Sequence, residues 1–201
     1  MKASLIVVDV QRDFCPGGSL AVKDGDRVVA PLNNAISAFH GAGLPIFFTR
    51  DWHPENHCSF KEQGGPWPRH CVAGSPGAEF HPALGLPSGA IVISKATDPK
   101  VEAYSGFQGT RLDAELRRLG VGELFVGGLA TDYCVKQTCL DGLEKGYHVS
   151  VLTDCVRGVD LRPRDSEEAL RIVTSRGAKL SASTEAMEMC RRAAMMSSSR
   201  P

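Results

Sequence analysis

The chain has 201 residues, 42% of them hydrophobic and 23% charged, which suits one α/β domain with a sizeable core and leaves little room for a second. Lys plus Arg balance Asp plus Glu at 23 each, so no charge surplus points to a nucleic-acid or anionic-membrane partner. No window approaches the roughly 20 apolar residues that span a bilayer. The apolar run after Met1-Lys2-Ala3-Ser4 is broken at Asp9, too soon for a signal peptide, so the expected compartment is the cytosol. The seven cysteines are an odd number without a CxxC spacing, which favours metal-binding, catalytic or buried thiols over a disulfide framework.

Leu5-Ile6-Val7-Val8 is a short β-branched run, as expected of a strand covered on both faces. Val28, Leu32, Ile36 and Phe39 recur at helical spacing, and residues 45–49 form the second expected strand. From Arg50 to about Ser88 the chain is irregular and rich in Gly, Pro and His, and irregular stretches that long are usually functional. Ile91-Val92-Ile93 is the third expected strand, and Thr110 with Asp113 predicts a capped helix running to Leu119. Leu124-Phe125-Val126 is the fourth strand. Val135, Cys139 and Leu143 mark a helix that Gly146 ends. Residues 149–152 make the fifth strand, and Asp165 with Glu168 predicts another capping box. A short strand near Ala178 and a helix from about Ser183 follow. One domain over residues 1–195 and a flexible Ser-rich tail at 196–201 are expected. Strict strand–helix alternation implies a doubly wound, mostly parallel sheet with helices on both faces.

In such sheets ligands bind beyond the carboxyl ends of the strands. Asp9 closes strand one, Asp51 and His53 follow strand two, Lys95 follows strand three, and a Gly-rich turn after strand four leads to Cys134. Singly, an Asp is a turn residue, a Lys a solvated charge, and a Cys a small buried hydrophobe. Together on one edge they suggest a nucleophile with a base and an orienting cation. Placing Cys134 at a helix start favours its thiolate and offers free N–H groups to an oxyanion. Asp51 and His53, two apart on an extended segment, point to one side and with His70 make a two-histidine, one-carboxylate set with open positions. A closed zinc site from His53, His57, Cys58 and Cys71 lacks the usual paired spacing. A redox role would need a resolving thiol, and Cys139 on the same helix is badly angled for one.

Residues 9–20, DVQRDFCPGGSL, resemble the opening motif of the nicotinamidase/pyrazinamidase family of isochorismatase-like cysteine hydrolases. Asp51-Trp52-His53, Trp67 to Cys71, Lys95, Ala103 to Phe107 and Gly128 to Val135 follow in the family's order, and the resemblance covers about Leu5 to Ala182. It implies the isochorismatase-like fold and hydrolysis of nicotinamide to nicotinate and ammonia, with pyrazinamide as a further substrate, feeding NAD salvage. It implies Asp9, Lys95 and Cys134 as a triad. It also implies a cis peptide at Leu129–Ala130 that aims the Ala130 and Cys134 amides at the oxyanion. One divalent ion (Zn, Fe or Mn) is implied on Asp51, His53 and His70, where it binds the ring nitrogen of the substrate. Some relatives use a second histidine as a fourth ligand, although with a longer gap than that between His53 and His57, and this makes His57 a further candidate. Phe14, Trp67, Tyr104 and Leu129 are implied around the substrate. The implied partner is a small aromatic amide, and a homo-oligomer stays open. The competing enzyme reading, another isochorismatase-like hydrolase without metal, does not account for the Asp51-x-His53…His70 set.

Overall fold

The computed structural model describes residues 1–198. Six parallel strands form one sheet: β1 (Lys2–Val8), β2 (Ile46–Asp51), β3 (Ile91–Lys95), β4 (Val121–Leu129), β5 (His148–Arg157) and β6 (Lys179–Ser181). Their spatial order is β3-β2-β1-β4-β5-β6. The order reverses between β1 and β4, so a crevice opens there beyond the strands' carboxyl ends. Among the described residues no helix is long and apolar enough to cross a membrane.

The sheet is covered on both faces. Leu5 and Val7 of β1 join the core beneath α1 (Val29–Gly41) and α5 (Ser183–Ser198), with Leu32, Phe39, Ala186 and Cys190. Ile6 and Val8 face the opposite way, toward α2 (Leu112–Arg118), α3 (Lys136–Glu144) and α4 (Asp165–Ser175), with Leu116, Cys139 and Val173. Alternation along one strand thus feeds two cores. The expected tail from residue 196 falls partly on the end of α5, and residues 199–201 lie outside the described residues.

Most strands run longer than their apolar stretches suggest. Strand β5 continues through Thr153 and Asp154 to Arg157, with a register shift against β4 between Val126 and Gly128. Both expected capping boxes are absent. Thr110 Oγ1 does accept the Leu112 N–H at 3.2 Å, but the Asp113 carboxylate is drawn away to the Tyr147 hydroxyl (2.8 Å) and Arg117 (3.1 Å). Helix α4 starts from Arg164 in a left-handed conformation (φ 74°), and Asp165 accepts the Arg162 N–H instead of capping. Glu168 turns outward to Arg171. In each case the acid has a better partner than the helix end.

Candidate active site

The site is assembled at the reversal point. The chain leaves β1 at Asp9 through a left-handed turn (φ 47°), with the Asp9 N–H held by the Thr49 carbonyl of β2 at 3.2 Å. Three non-glycine residues beside the site share this conformation: Asp9, Cys71 and Ala96. It costs of order 1–3 kcal/mol each, a pattern common at functional sites. Strand β4 passes close to β1 at Gly128 (φ 126°), where a Cβ would run into the Val8 carbonyl. After Gly128 comes a cis peptide at Leu129–Ala130 and a single wide turn, Thr131–Val135, that runs directly into α3. Cys134 lies in that turn. Asp132 fastens the turn from below, its carboxylate accepting the Val159 and Asp160 N–H groups at 2.9 Å each.

Lys95, the last residue of β3, is the hub. Its Nζ lies 3.0 Å from Asp9 Oδ2, makes a very short contact with Asp51 Oδ1, and donates to the Ala103 carbonyl at 3.0 Å. It also stands 3.5 Å from Cys134 Sγ. Thr49 donates to the other Asp9 oxygen at 2.6 Å. Asp9, Asp51 and Cys134 each bring one ligand-type atom within 4.8 Å of the others, but the Lys95 ammonium contacts all three, so a cation is already supplied there.

All four groups are buried, which shapes their ionisation. Burial raises Asp9 above the ordinary carboxylate value, with Lys95 opposing and Asp51 adding to the rise. Asp51 goes the other way: burial acts upward, but Lys95 and His53 outweigh it and hold the carboxyl low. Lys95 stays protonated because two carboxylates outweigh its burial. The Cys134 thiol is pushed well up, first by burial, then by the two acids, against the pull of Lys95. The thiolate expected from the helix start is therefore corrected. Complete burial between two carboxylates leaves a resting thiol beside a base.

The second half of the site comes from the irregular segment after β2. Asp51, His53 and His70 place ligand atoms within 4.8 Å of one another. His53 is 1% exposed, yet among the described residues neither ring nitrogen has a hydrogen-bond partner, Nε2 standing 3.5 Å from Asp51 Oδ2. Buried polar atoms are rarely left so. Burial keeps His70 toward the neutral form, and its Nδ1 lies 2.8 Å from the Pro68 carbonyl. A carbonyl only accepts, so Nδ1 carries the proton and Nε2 keeps its lone pair. One carboxylate, one unpartnered imidazole and one imidazole of fixed tautomer fit a divalent cation with positions to spare.

His57 stands apart. Its ring centroid lies 4.2 Å from that of His53 with the planes tilted by 35°, but both nitrogens are engaged. Nδ1 accepts the Ser59 N–H at 3.3 Å, so Nε2 donates to the Val101 carbonyl at 3.2 Å. It lies outside the three-residue group.

Above these residues is a cavity lined by Phe14, Trp67, Tyr104, Ala130 and Cys134, together with Asp51 and His70. The Trp67 indole donates to the Tyr104 hydroxyl at 3.0 Å, and Phe14 packs 5.6 Å from His70. Leu129 does not line the cavity, because its side chain is fully buried in the α1 core. Residues not singled out from sequence also matter. Tyr133 contacts Trp67 edge-on at 5.2 Å, and Leu20, Val22, Glu102 and Val159 complete the wall. Asp13 accepts the Cys71 N–H at 2.8 Å, and the Cys71 carbonyl in turn accepts the His53 N–H at 3.0 Å. Nothing in residue type or spacing marks these contacts, which join segments tens of residues apart.

An isochorismatase domain model matches residues 3–185. The nicotinamidase of Escherichia coli strain K12 is 43% identical over 198 residues, covering 88% of this chain and 93% of its own. The nicotinamidase/pyrazinamidase of Mycobacterium tuberculosis is 42% identical over 167 residues, covering 78% and 87%. Among solved structures, the pyrazinamidase of Pyrococcus horikoshii in complex with zinc superimposes with a TM-score of 0.87 at 52% identity, covering 90% of this chain and 99% of its own. A protein from L. infantum in complex with nicotinate gives 0.83 at 36% identity, covering 91% and 93%. The chain belongs to the isochorismatase-domain family.

Proposed function

We propose that this protein is a metal-dependent cysteine amidohydrolase that converts nicotinamide to nicotinate and ammonia, and pyrazinamide to pyrazinoate. The observation that carries the reading is the meeting of two sets at one aromatic cavity. Cys134, with Lys95 and Asp9 next to it, lines that cavity, as do Asp51 and His70, whose ligand atoms cluster with that of His53. The nicotinamidase relatives and the nicotinate-bound neighbour support the substrate class.

The chemistry follows from the ionisation of the site. A cysteine held as a thiol needs a base, and Asp9, raised by burial, is better matched to a proton near neutral pH than an ordinary carboxylate. Asp9 takes the Cys134 proton as sulfur attacks the amide carbon. The Ala130 and Cys134 N–H groups receive the oxyanion. Asp9 returns the proton to the departing ammonia, leaving a thioester, then draws a proton from the water that attacks it and passes that proton to the Cys134 sulfur as the C–S bond breaks. Lys95 keeps Asp9 oriented and offsets its charge throughout. Asp51, His53 and His70 would hold the ion, and Zn, Fe or Mn all suit that donor set. Bound there, it would supply an electrophilic anchor for a ring nitrogen. Phe14, Trp67 and Tyr104 hold the flat ring by its faces and edges.

The test is ammonia release from nicotinamide by the purified protein, beside metal analysis and mass spectrometry of quenched turnover. An acyl adduct on Cys134 is expected, and Cys134→Ala is expected to abolish release while keeping fold and metal. Substantial release by Cys134→Ala would defeat the nucleophile assignment. The same reading places the product in NAD salvage and the protein in the cytoplasm. Labelled nicotinamide traced into NAD in cells tests the first, and fractionation tests the second.

A further inference from the structure

Where β1 ends, β2 goes on. Asp9 provides the last main-chain bond between the two strands, its N–H to the Thr49 carbonyl. Two residues later along β2, Asp51 would turn its N–H and carbonyl toward a strand that is no longer there. On its other side β2 is already paired with β3, the Trp52 N–H donating to the Lys95 carbonyl at 3.1 Å. The missing partner is a side chain. Gln11 Oε1 accepts the Asp51 N–H at 2.8 Å, and Gln11 Nε2 donates to the Asp51 carbonyl at 2.8 Å. The second Nε2 proton goes to the Ala78 carbonyl at 2.9 Å. The carboxamide thus imitates one rung of a parallel ladder, and it is 0% exposed.

Gln11 is itself fixed from behind. Its backbone forms an isolated antiparallel bridge to Phe80, and its neighbours join the same segment through the Arg12 N–H to the Glu79 carbonyl (2.9 Å) and the His81 N–H to the Val10 carbonyl (2.8 Å). No water or solvent-exposed alternative is needed to satisfy the amide. A Gln carboxamide is the side chain that offers a donor and an acceptor on this plane with enough reach.

We infer that Gln11 is a positioning residue for the candidate metal site: by clamping both main-chain groups of Asp51 it sets the Asp51 carboxylate between Lys95 and His53. Asp51 Oδ1 faces Lys95 and Oδ2 lies 3.5 Å from His53 Nε2, so a small rotation of this one residue changes the cation set and the lysine hub together. The inference rests on the metal reading above for its functional consequence, but the clamp itself can be tested without metal.

Three variants separate the ideas. Gln11→Met keeps the volume and removes all three hydrogen bonds. Gln11→Glu keeps the outline and the acceptor for Asp51 N–H but sets an oxygen against two carbonyls. Val173→Ala, in the distant core under α4, supplies a loss of stability without touching the site. The first measurement is amide hydrogen exchange in chelator-treated protein. Protection at Asp51 is expected to fall at least about tenfold in both Gln11 variants and to stay unchanged in Val173→Ala. The second is zinc affinity by competition with a chromophoric chelator, expected to weaken about 10–100-fold in the Gln11 variants, as for other groups that orient metal ligands. Should Gln11→Met fail to fold, Gln11→Glu carries both measurements. Unchanged Asp51 protection in the Gln11 variants overturns the clamp. Lost protection with wild-type zinc affinity, or zinc affinity weakened equally by Val173→Ala, overturns the positioning role. If the unaltered protein binds no divalent ion, the metal reading fails while the exchange data still decide whether Gln11 fixes Asp51.

Discussion

The two halves of the site touch at Lys95 but are held in place by different forces. Asp9 and Lys95 sit at the ends of β1 and β3, on either side of β2, and Cys134 on a turn continuous with β4 and α3. Their positions follow from the ladder, which is buried on both faces and shared by many residues. His53 and His70 sit on the segment between β2 and β3, where the regular structure is limited to two single turns of 3-10 helix and isolated bridges. That half is placed by individual contacts: Gln11 on Asp51, Asp13 on Cys71, Cys71 on His53, Pro68 on His70. A ladder spreads its load over many bonds, so single substitutions shift it little. A loop tied by a few side chains depends on each of them.

The largest expected effect breaks the strand-end half alone. Asp9→Asn removes the base without changing the ladder, because the Thr49 bond to the main chain is kept. Turnover should fall by roughly 10³-fold or more, as when one member of a catalytic unit is removed. Metal content should be unchanged. Loss of metal in this variant would show that the halves are not separable.

The next breaks the loop half. His53→Ala and His70→Ala should each lose bound ion and raise KM for nicotinamide by at least about tenfold, beyond the effect of altering an orienting group. His57→Ala should keep one ion per chain, because both nitrogens of His57 are already engaged. Metal analysis of the three proteins checks this directly, and an ion lost from His57→Ala would make it a fourth ligand. A milder probe is Tyr104→Phe, which deprives the Trp67 indole of its acceptor. An increase of about 3- to 10-fold in KM with little change in kcat is expected, the size of one hydrogen bond of about 1 kcal/mol. A fall confined to kcat would place Tyr104 in the chemistry instead.

The same contrast explains what was legible in the sequence. Strand cores are apolar runs, so Leu5–Val8 and Leu124–Val126 could be read, and with them the edge on which Asp9 and Cys134 stand. The Asp51-x-His53 pair was legible for the same reason, as it continues a strand. Strand ends were not, because β5 carries polar Thr153 and Asp154 into the sheet where a register shift accommodates them. Gln11 and Asp13 were visible only as parts of a motif. Their partners lie 40 and 58 residues away, and nothing local shows which main-chain group a buried side chain will satisfy. Thr110 does accept a helix-start N–H, but the carboxylates of Asp113 and Asp165 do not cap, because a carboxylate takes the best donor in reach and that choice is made by the fold. The thiolate at Cys134 was misread because a helix start is a local feature and burial is not.

The smallest effect compares Cys134 with Cys139, five residues further along the same helical stretch. Cys139 is fully buried, and burial alone raises its thiol from 9.0 to about 12. Cys134 is raised as well, but it has Asp9 and Lys95 beside it. Burial of a thiol is therefore not what separates the two, and Cys139→Ala should leave ammonia release essentially intact. Its signature should appear in stability instead. The folded state holds the Cys139 proton more tightly than the unfolded chain does. The stabilisation this gives is complete below the unfolded value of 9.0 and drains away as pH rises toward about 12. One such thiol contributes a slope of up to about 1.4 kcal/mol per pH unit in that window. Denaturant unfolding between pH 8 and 10.5 should show stability falling with pH, because Cys15 and Cys155, raised to about 11 and about 12, act in the same direction. Cys139→Ala should make the fall shallower, at the cost of slightly lower stability at pH 7 from the lost packing. An unchanged slope would mean that Cys139 ionises in the folded protein as freely as in the unfolded chain, and its burial would then have no energetic consequence that titration can see.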